Sequence, residues 1–250
     1  MRPMSSTERV LIIVPAWNEE QTVGAVVQEV RATIPGTDVL VVDDGSGDRT
    51  AAVAAGAGAD VLTLPYNLGV GGAMRAGYLY AHRNRYDRTI QLDADGQHDP
   101  AQVPVLLHAL EESGADVVIG SRFAGVGDYR VRGPRRWAMV LLGSVLSRVT
   151  RTRLTDPTSG FKACGPRAVA VFARDYPAEY LGDTVEALVI AARAGLRVRQ
   201  TGVPMRPRAG GRPSHGAWRS TVFLLRAVLA LTVALTRPHD RSTAALEAHA

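Results

Sequence analysis

Five short apolar runs, spaced along the first half of this 250-residue chain, set the frame in which everything else must be placed. They are Val10-Leu11-Ile12-Ile13-Val14, Val39-Leu40-Val41-Val42, Val61-Leu62-Thr63-Leu64, Thr89-Ile90-Gln91-Leu92 and Val117-Val118-Ile119-Gly120. A continuous apolar run of this length is expected of a strand buried on both faces. Helical stretches lie between them. The first runs to about Thr33, with Asn18 as its expected N-cap and Glu19 and Glu20 at its positive end. An Ala-rich helix follows Asp43-Asp44-Gly45-Ser46, where Asp43 is the expected cap, and the loop Asn67 to Gly72 feeds a helix through Tyr80. Pro100 is placed to open another. Strand and helix alternating in this way predict an α/β fold, with a mainly parallel central sheet flanked by helices. In such sheets ligands bind beyond the carboxyl ends of the strands. The polar clusters at residues 15–19, 43–46, 67–73 and 93–97 all fall at that edge.

After Gly120 the pattern changes. Residues 122–136 are rich in Arg and Gly, and Trp137 to Val149 reads as an amphipathic helix. The turn-rich loop Thr155-Asp156-Pro157-Thr158-Ser159-Gly160 follows, then a helix near Thr184–Ala194 and a strand near Arg197–Val203. No repeat or linker divides residues 1–215, which are expected to form one domain. Residues 216–250 are expected to form a C-terminal amphipathic helix and tail. The apolar stretch Val222 to Thr236 holds 15 residues, so at about 1.5 Å each it falls short of a ~30 Å hydrocarbon core. Arg219, Arg226 and Arg237 lie within roughly 20° of one another at about 100° per residue. One cationic stripe on an apolar cylinder suits a helix lying in the headgroup layer of a membrane; the alternative is a terminal helix packed on the core.

Charge is divided along the chain. Residues 1–121 carry 8 Arg against 16 Asp or Glu, whereas residues 122–167 carry 10 basic and 2 acidic side chains and residues 193–241 carry 10 and 1. Acidic groups gather where a metal would bind, and cations where an anionic partner would dock. Nucleic acid is not expected as that partner, because no helix-turn-helix, zinc-finger or RNA-binding aromatic signature accompanies the charge. The single cysteine, Cys164, rules out an intrachain disulfide and fits a reducing compartment. Met1 to Arg9 has no apolar run of signal-peptide length.

The chemistry concentrates at Asp93-Ala94-Asp95-Gly96-Gln97. Two carboxylates one residue apart at a strand's tip form a compact set of hard oxygen donors, suited to Mg²⁺ or Mn²⁺ held jointly with substrate phosphates. Gln97 is near enough to add a neutral oxygen. The spacing does not match an EF-hand loop, which needs a third ligand before its Gly. Gly69-x-Gly71 is no dinucleotide fingerprint, since Met74 stands where a third Gly belongs, and no Gly-Lys-Ser/Thr marks a P-loop. The histidines lack zinc-ligand spacing, and His98 reads as a hydrogen-bonded turn residue. Asp44, ending the second strand, is placed to accept hydrogen bonds from a base or ribose.

Taken in order, Val14-Pro15-Ala16-Trp17-Asn18-Glu19-Glu20, Asp43-Asp44-Gly45-Ser46, Asn67-x-Gly69-x-Gly71-x-Ala73, Asp93-Ala94-Asp95-Gly96-Gln97-His98, Gly120-Ser121-Arg122-Phe123 and Asp156-Pro157-Thr158-Ser159-Gly160-Phe161 resemble family-2 glycosyltransferases. The closest likeness is to the dolichyl- and polyprenyl-phosphate mannose or glucose synthases. The resemblance implies a GT-A fold, a divalent metal, a GDP- or UDP-linked sugar donor and inversion at the anomeric carbon. Carried over by motif, Pro15, Ala16, Trp17, Glu19, Val42, Asp44, Gly71 and Ala94 would line the nucleotide-sugar site. Asp93, Asp95 and Gln97 would form the metal group, and Arg206 would contact a phosphate. Trp17 stands where the family usually has Tyr or another aromatic, so stacking is kept and a hydroxyl contact is lost.

The acceptor decides whether a base is needed. A lipid monophosphate has a second pKa of about 6, so it is already largely dianionic near neutral pH and attacks unaided. Arg122, Arg130, Arg135 and Arg136 would position it. A sugar hydroxyl would need deprotonating, with Asp183 or Glu186 as candidates. The density of Arg near residues 122–136 favours a polyprenyl phosphate. The expected protein is therefore a cytoplasmic, metal-dependent glycosyltransferase, peripheral on the inner face of the cell membrane. The alternatives are transfer to a hydroxyl of a glycan or small molecule, and a catalytically silent membrane-binding module. A nucleotidyltransferase would need a Gly-rich, Lys-ending first loop that this chain lacks.

Overall fold

The computed structural model describes residues 8–121, 134–177 and 183–206, with the side chains of 134–141 and 183 left aside. Along the chain run β1 (Val10–Ala16), α1 (Val23–Thr33), β2 (Asp38–Asp43), α2 (Thr50–Gly56), β3 (Asp60–Thr63), α3 (Gly69–Arg83) and β4 (Arg88–Gln91). A short 3-10 turn (Pro100–Gln102) leads into α4 (Val103–Ser113), followed by β5 (Val117–Ser121) and α5 (Pro134–Thr150). Then come β6 (Lys162–Cys164), α6 (Pro166–Asp175), α7 (Asp183–Arg193) and β7 (Val198–Gly202). The expected helix over 222–236, the tail over 216–250, and Arg122 and Arg130 lie outside the described residues.

Seven strands form one sheet in the order β3-β2-β1-β4-β6-β5-β7. Every pairing is parallel except those of β6, which runs against both β4 and β5. In β1, β2, β4 and β5 the runs are apolar because both faces are covered; β3, at the edge of the sheet, departs from the expectation and is only partly buried. In β1, Leu11 and Ile13 face a cluster that holds Met74 and Tyr78 of α3, Phe172 of α6 and Leu188 of α7. Ile12 and Val14 face a second cluster with Val26 and Val27 of α1 and Leu106 and Leu107 of α4. Each such side chain buried contributes about 1.5–3 kcal/mol of transfer free energy.

The reversed strand was not legible in the sequence. Lys-Ala-Cys is short and begins with a charge, yet Lys162 is buried, its Nζ 3.2 Å from the Tyr176 hydroxyl. Lys162 lies opposite both Gln91, the last residue of β4, and Ile119 of β5. Because β6 starts at the carboxyl edge, it delivers the loop Thr155–Phe161 to the same rim where β4 ends. Fold and site are linked at that point.

Packing between α3 and the sheet is tight enough to exclude a side chain at one position. A Cβ on Gly77 would fall 2.5 Å from Ile13 Cγ2. Gly77→Val is expected to lower the free energy of unfolding by about 2 kcal/mol through overpacking, measured by urea denaturation with an unchanged m-value.

Candidate active site

The rim is assembled from loops whose polar side chains bond across to one another's backbones. Asn18 adopts a left-handed conformation (φ 56°) and does not cap α1. Thr22 occupies the cap position, and Asn18 instead accepts a bond from the Gly47 amide at 2.9 Å while its own amide donates to Ser46 Oγ at 2.9 Å. The Glu19 amide donates to Thr50 Oγ1 at 2.8 Å, and the Glu19 carboxylate accepts from Thr22 Oγ1 at 2.8 Å. The first two strand-end loops are thus laced together. Asp43 likewise departs from its expected helix-capping role: it accepts from the Ser46 amide within its own turn, and Asp48 stands at the start of α2 instead. Burial pushes the Asp48 carboxyl up, but bonds from the Thr50 hydroxyl and amide outweigh it and hold it below its ordinary value.

Asp44 is buried, and its carboxylate accepts the amides of Leu68 at 2.7 Å and Gly69 at 2.8 Å, at the start of α3. Carboxylate and helix N-terminus suit each other, since both orphan amides and the dipole favour a negative charge there. Burial pushes the Asp44 carboxyl up from its ordinary value; the Leu68 and Gly69 amides pull against that. Asp44 therefore fastens the third loop to the second strand. Beside it Gly45 (φ 67°) passes so close to the chain that a Cβ would lie 2.7 Å from the Tyr66 carbonyl carbon. Trp17 and Tyr66 stay 52% and 65% exposed on this rim, leaving two aromatic faces open at the carboxyl edge. Pro15 is half-buried, whereas Ala16, Val42, Gly71 and Ala94 are buried, so of this expected group Trp17 offers the most side-chain surface. Gly71 lies inside α3, which begins at Gly69, three residues before the expected end of the loop at Gly72.

Past β4 the chain turns sharply through Gly96 (φ 74°). The Asp93 amide donates to His98 Nδ1 at 3.0 Å, and the Gln97 amide donates to Asp95 Oδ1 at 3.0 Å. His98 is buried and stacks on Phe161 with ring centroids 4.9 Å apart, so the expected turn role holds. The Asp93 side chain is 38% exposed and Asp95 is 6% exposed. Gly160 lies against the Asp93 carboxylate: a Cβ there would stand 2.8 Å from Oδ2 and 2.9 Å from Oδ1. Nothing local to Asp93 signals that contact; only the Asp156–Phe161 motif, brought to the rim by β6, hints at it.

Two carboxylates are fewer than a protein cage needs, and among the described residues no group of three or more His, Cys, Asp or Glu side chains is placed to hold a metal. Mg²⁺ and Mn²⁺ commonly take one or two carboxylates plus substrate phosphates and water. The donor set at Asp93 and Asp95 fits a cation that arrives with a diphosphate. Gln97 is half-buried in the same turn.

The expected phosphate-binding arginines fare differently. Arg206 Nη1 pairs with Glu29 at 2.6 Å and Nη2 with Asp99 at 2.8 Å, so its guanidinium is held by two carboxylates. Arg135 and Arg136 fall in the first turn of α5 and Asp183 opens α7, with their side chains among those left aside. Glu186 is half-buried on α7.

The profile describing Glycosyl transferase family 2 matches residues 11–175. The undecaprenyl-phosphate mannosyltransferase of Micrococcus luteus is 36% identical over 200 residues, 76% of this chain and 80% of that protein. The polyprenol monophosphomannose synthase of Mycolicibacterium smegmatis is 35% identical over 164 residues, 63% of this chain and 62% of that protein. Glucosyl-3-phosphoglycerate synthase from Mycobacterium tuberculosis, solved with Mn²⁺, UDP and phosphoglyceric acid, superposes with a TM-score of 0.70 at 21% identity. That alignment covers 94% of this chain and 81% of the synthase. The architecture is the GT-A fold.

Gly160→Ala is expected to separate stability from binding. The group displaced is the end of the partly exposed Asp93 side chain and not backbone, so the unfolding midpoint should move by less than about 4 °C, about 1 kcal/mol at most. Binding of Mn²⁺ with UDP or GDP, followed by calorimetry, should weaken by about tenfold or more, as for a displaced metal ligand.

Proposed function

The chain belongs to glycosyl transferase family 2, and on that premise we propose that it moves a hexose from a GDP- or UDP-linked donor to a polyprenyl phosphate with inversion at the anomeric carbon. The observation that carries this reading is the meeting, at one rim, of the Asp93–Asp95 turn, the Asp156–Gly160 loop and the aromatic faces of Trp17 and Tyr66. Trp17 offers a face on which a base stacks, an interaction worth about 1–3 kcal/mol in other nucleotide sites. The Asp44–Leu68–Gly69 tie holds the adjoining loop so that the base and ribose meet a fixed wall.

Asp93 and Asp95, with Gln97 beside them, would hold Mg²⁺ or Mn²⁺ against the diphosphate, and the bound cation would stabilise the charge gathering on the departing nucleoside diphosphate. In the transfer itself a phosphate oxygen of the acceptor forms the new bond to the anomeric carbon as the bond to the diphosphate oxygen breaks. The electron pair leaves with the nucleoside diphosphate. A largely dianionic acceptor has no proton to lose, so this version needs no base; Arg122, Arg130, Arg135 and Arg136 are proposed to align it. No helix among the described residues is long and apolar enough to cross a membrane. A peripheral position on the cytoplasmic face, with residues 216–250 at the lipid surface, is the arrangement proposed.

The test is a screen of GDP- and UDP-sugars with polyprenyl phosphate and Mn²⁺, with the product identified by mass spectrometry. Asp93→Ala and Asp95→Ala should each lower transfer on the order of 10²- to 10³-fold, the cost of losing one electrostatic stabiliser. Undiminished transfer by either variant with a chelator present overturns the reading. Loss of transfer in Asp183→Ala or Glu186→Ala, with a hydroxyl acceptor preferred in the screen, would assign the reaction to a glycan or small molecule. Removal of residues 218–250 is expected to reduce recovery with anionic liposomes more than donor binding; equal recovery of both chains contradicts the membrane position.

A further inference from the structure

The turn that carries Asp93 and Asp95 lies just outside the sheet's hydrogen-bond ladder, whose last bond beside β1 runs from the Leu92 amide to the Ile13 carbonyl at 3.0 Å. Two bonds hold it from within, Asp93 amide to His98 and Gln97 amide to Asp95. A short antiparallel bridge holds it from outside, with His98 opposite Met205 and the Arg206 amide donating to the Gln97 carbonyl at 3.0 Å. Arg206 adds its side chain to the same clamp. One arm reaches Asp99 at 2.8 Å, the residue whose carboxylate caps the 3-10 turn through the Ala101 amide at 2.9 Å. The other reaches Glu29 at 2.6 Å, six residues into α1 and therefore on the flank of the sheet, about 9 Å down the helix axis from Val23.

We propose that Arg206 is a positioning residue for the Asp93–Asp99 turn, tying it to α1, and that it does not contact the diphosphate. The inference rests on the reading of Asp93 and Asp95 as the metal and diphosphate site. A guanidinium always carries its charge and offers donors in a rigid fork, so one Arg bridges two carboxylates at once; an ammonium at the end of a flexible stem does not hold that geometry. To reach a phosphate Arg206 would have to abandon Glu29 and Asp99 together, leaving both carboxylates unmatched. Its backbone bond to Gln97 and its side-chain bond to Asp99 bracket His98, the residue that in turn fixes the Asp93 amide. The turn is fixed on both sides of its buried histidine.

Glu29 separates the two roles, because it belongs to α1 and not to the rim. The experiment measures Mn²⁺ binding from the electron paramagnetic resonance signal of free Mn²⁺, with UDP and then GDP present, for the full chain and for Arg206→Ala, Arg206→Lys, Glu29→Ala and Asp95→Ala. Arg206→Ala and Glu29→Ala should both raise the half-saturating Mn²⁺ concentration by about three- to tenfold, at the lower end of what partners of metal ligands cost. Arg206→Lys should recover only part of that loss, and unfolding midpoints should stay within about 4 °C of the parent. Should Arg206→Ala fail to fold, Glu29→Ala carries the comparison alone. Weakened binding in Arg206→Ala beside unchanged or tighter binding in Glu29→Ala would make Arg206 a phosphate contact and overturn the proposal. Binding unchanged in both also overturns it. Asp95→Ala is the control for the underlying reading: undiminished Mn²⁺ binding there, or none by the parent chain with either nucleotide, removes the site itself.

Discussion

Gly160 lies against the carboxylate of Asp93 because one three-residue strand runs against both its neighbours. A parallel strand between β4 and β5 would have sent its leading loop to the opposite edge, away from the tip of β4. The reversed β6 instead brings the Thr155–Phe161 loop to the rim, lays Phe161 under His98 and leaves no room for a side chain at residue 160. Position, orientation and exposure of Asp93 follow from that topology, together with the Asp93–His98 bond. The strand is anchored by the chain's single lysine, whose ammonium is buried against the Tyr176 hydroxyl. Burying a charge costs heavily unless it is hydrogen-bonded, so the placement is held by its surroundings and not by strand propensity.

The acidic residues of the first half divide into two kinds. Asp43, Asp44, Asp48 and Glu19 spend their oxygens on backbone amides or hydroxyls of neighbouring loops. They make the rim rigid, and a rigid rim presents Trp17 and Tyr66 in fixed places. Asp93 differs: its backbone amide donates to His98 Nδ1, and its carboxylate, 38% exposed at the tip of the strand, takes no backbone amide among the described residues and stands 3.7 Å from His98 Nε2. Preorganisation of this kind lets a site stabilise developing charge without rearranging at the moment of reaction.

The five apolar runs were legible in the sequence as strands, although β3 at the sheet edge is only partly buried and β6, buried throughout, is too short and polar at its start to recognise. All five predicted strands are present, and β7 lies within a residue of its expected start. What escaped was non-local. Asn18 has the composition of an N-cap, but its partner is Gly47 in another loop. Asp44 ends a strand in a way that suggests a ligand contact, yet its amide partners lie 24 and 25 residues on. Arg206, beside a Pro- and Gly-rich stretch, suggests a phosphate contact in the sequence, and nothing near it announces its pairing with Glu29, 177 residues earlier. Residue type is legible locally; the partner that decides its role is set by topology. The Asp93–Asp95 turn could be singled out because both carboxylates come from one tight segment, whereas the contact of Gly160 with Asp93 depends on a strand too short to recognise.

The central claim is that Asp93 and Asp95 together grip a divalent cation that bridges to a nucleoside diphosphate. Anomalous diffraction at the manganese edge, from crystals of this chain grown with Mn²⁺ and UDP or GDP, tests it most directly. The account predicts a strong peak beside the Asp93 and Asp95 carboxylates and next to the diphosphate. An ordered nucleotide with no such peak, or a peak held by other side chains, would contradict it.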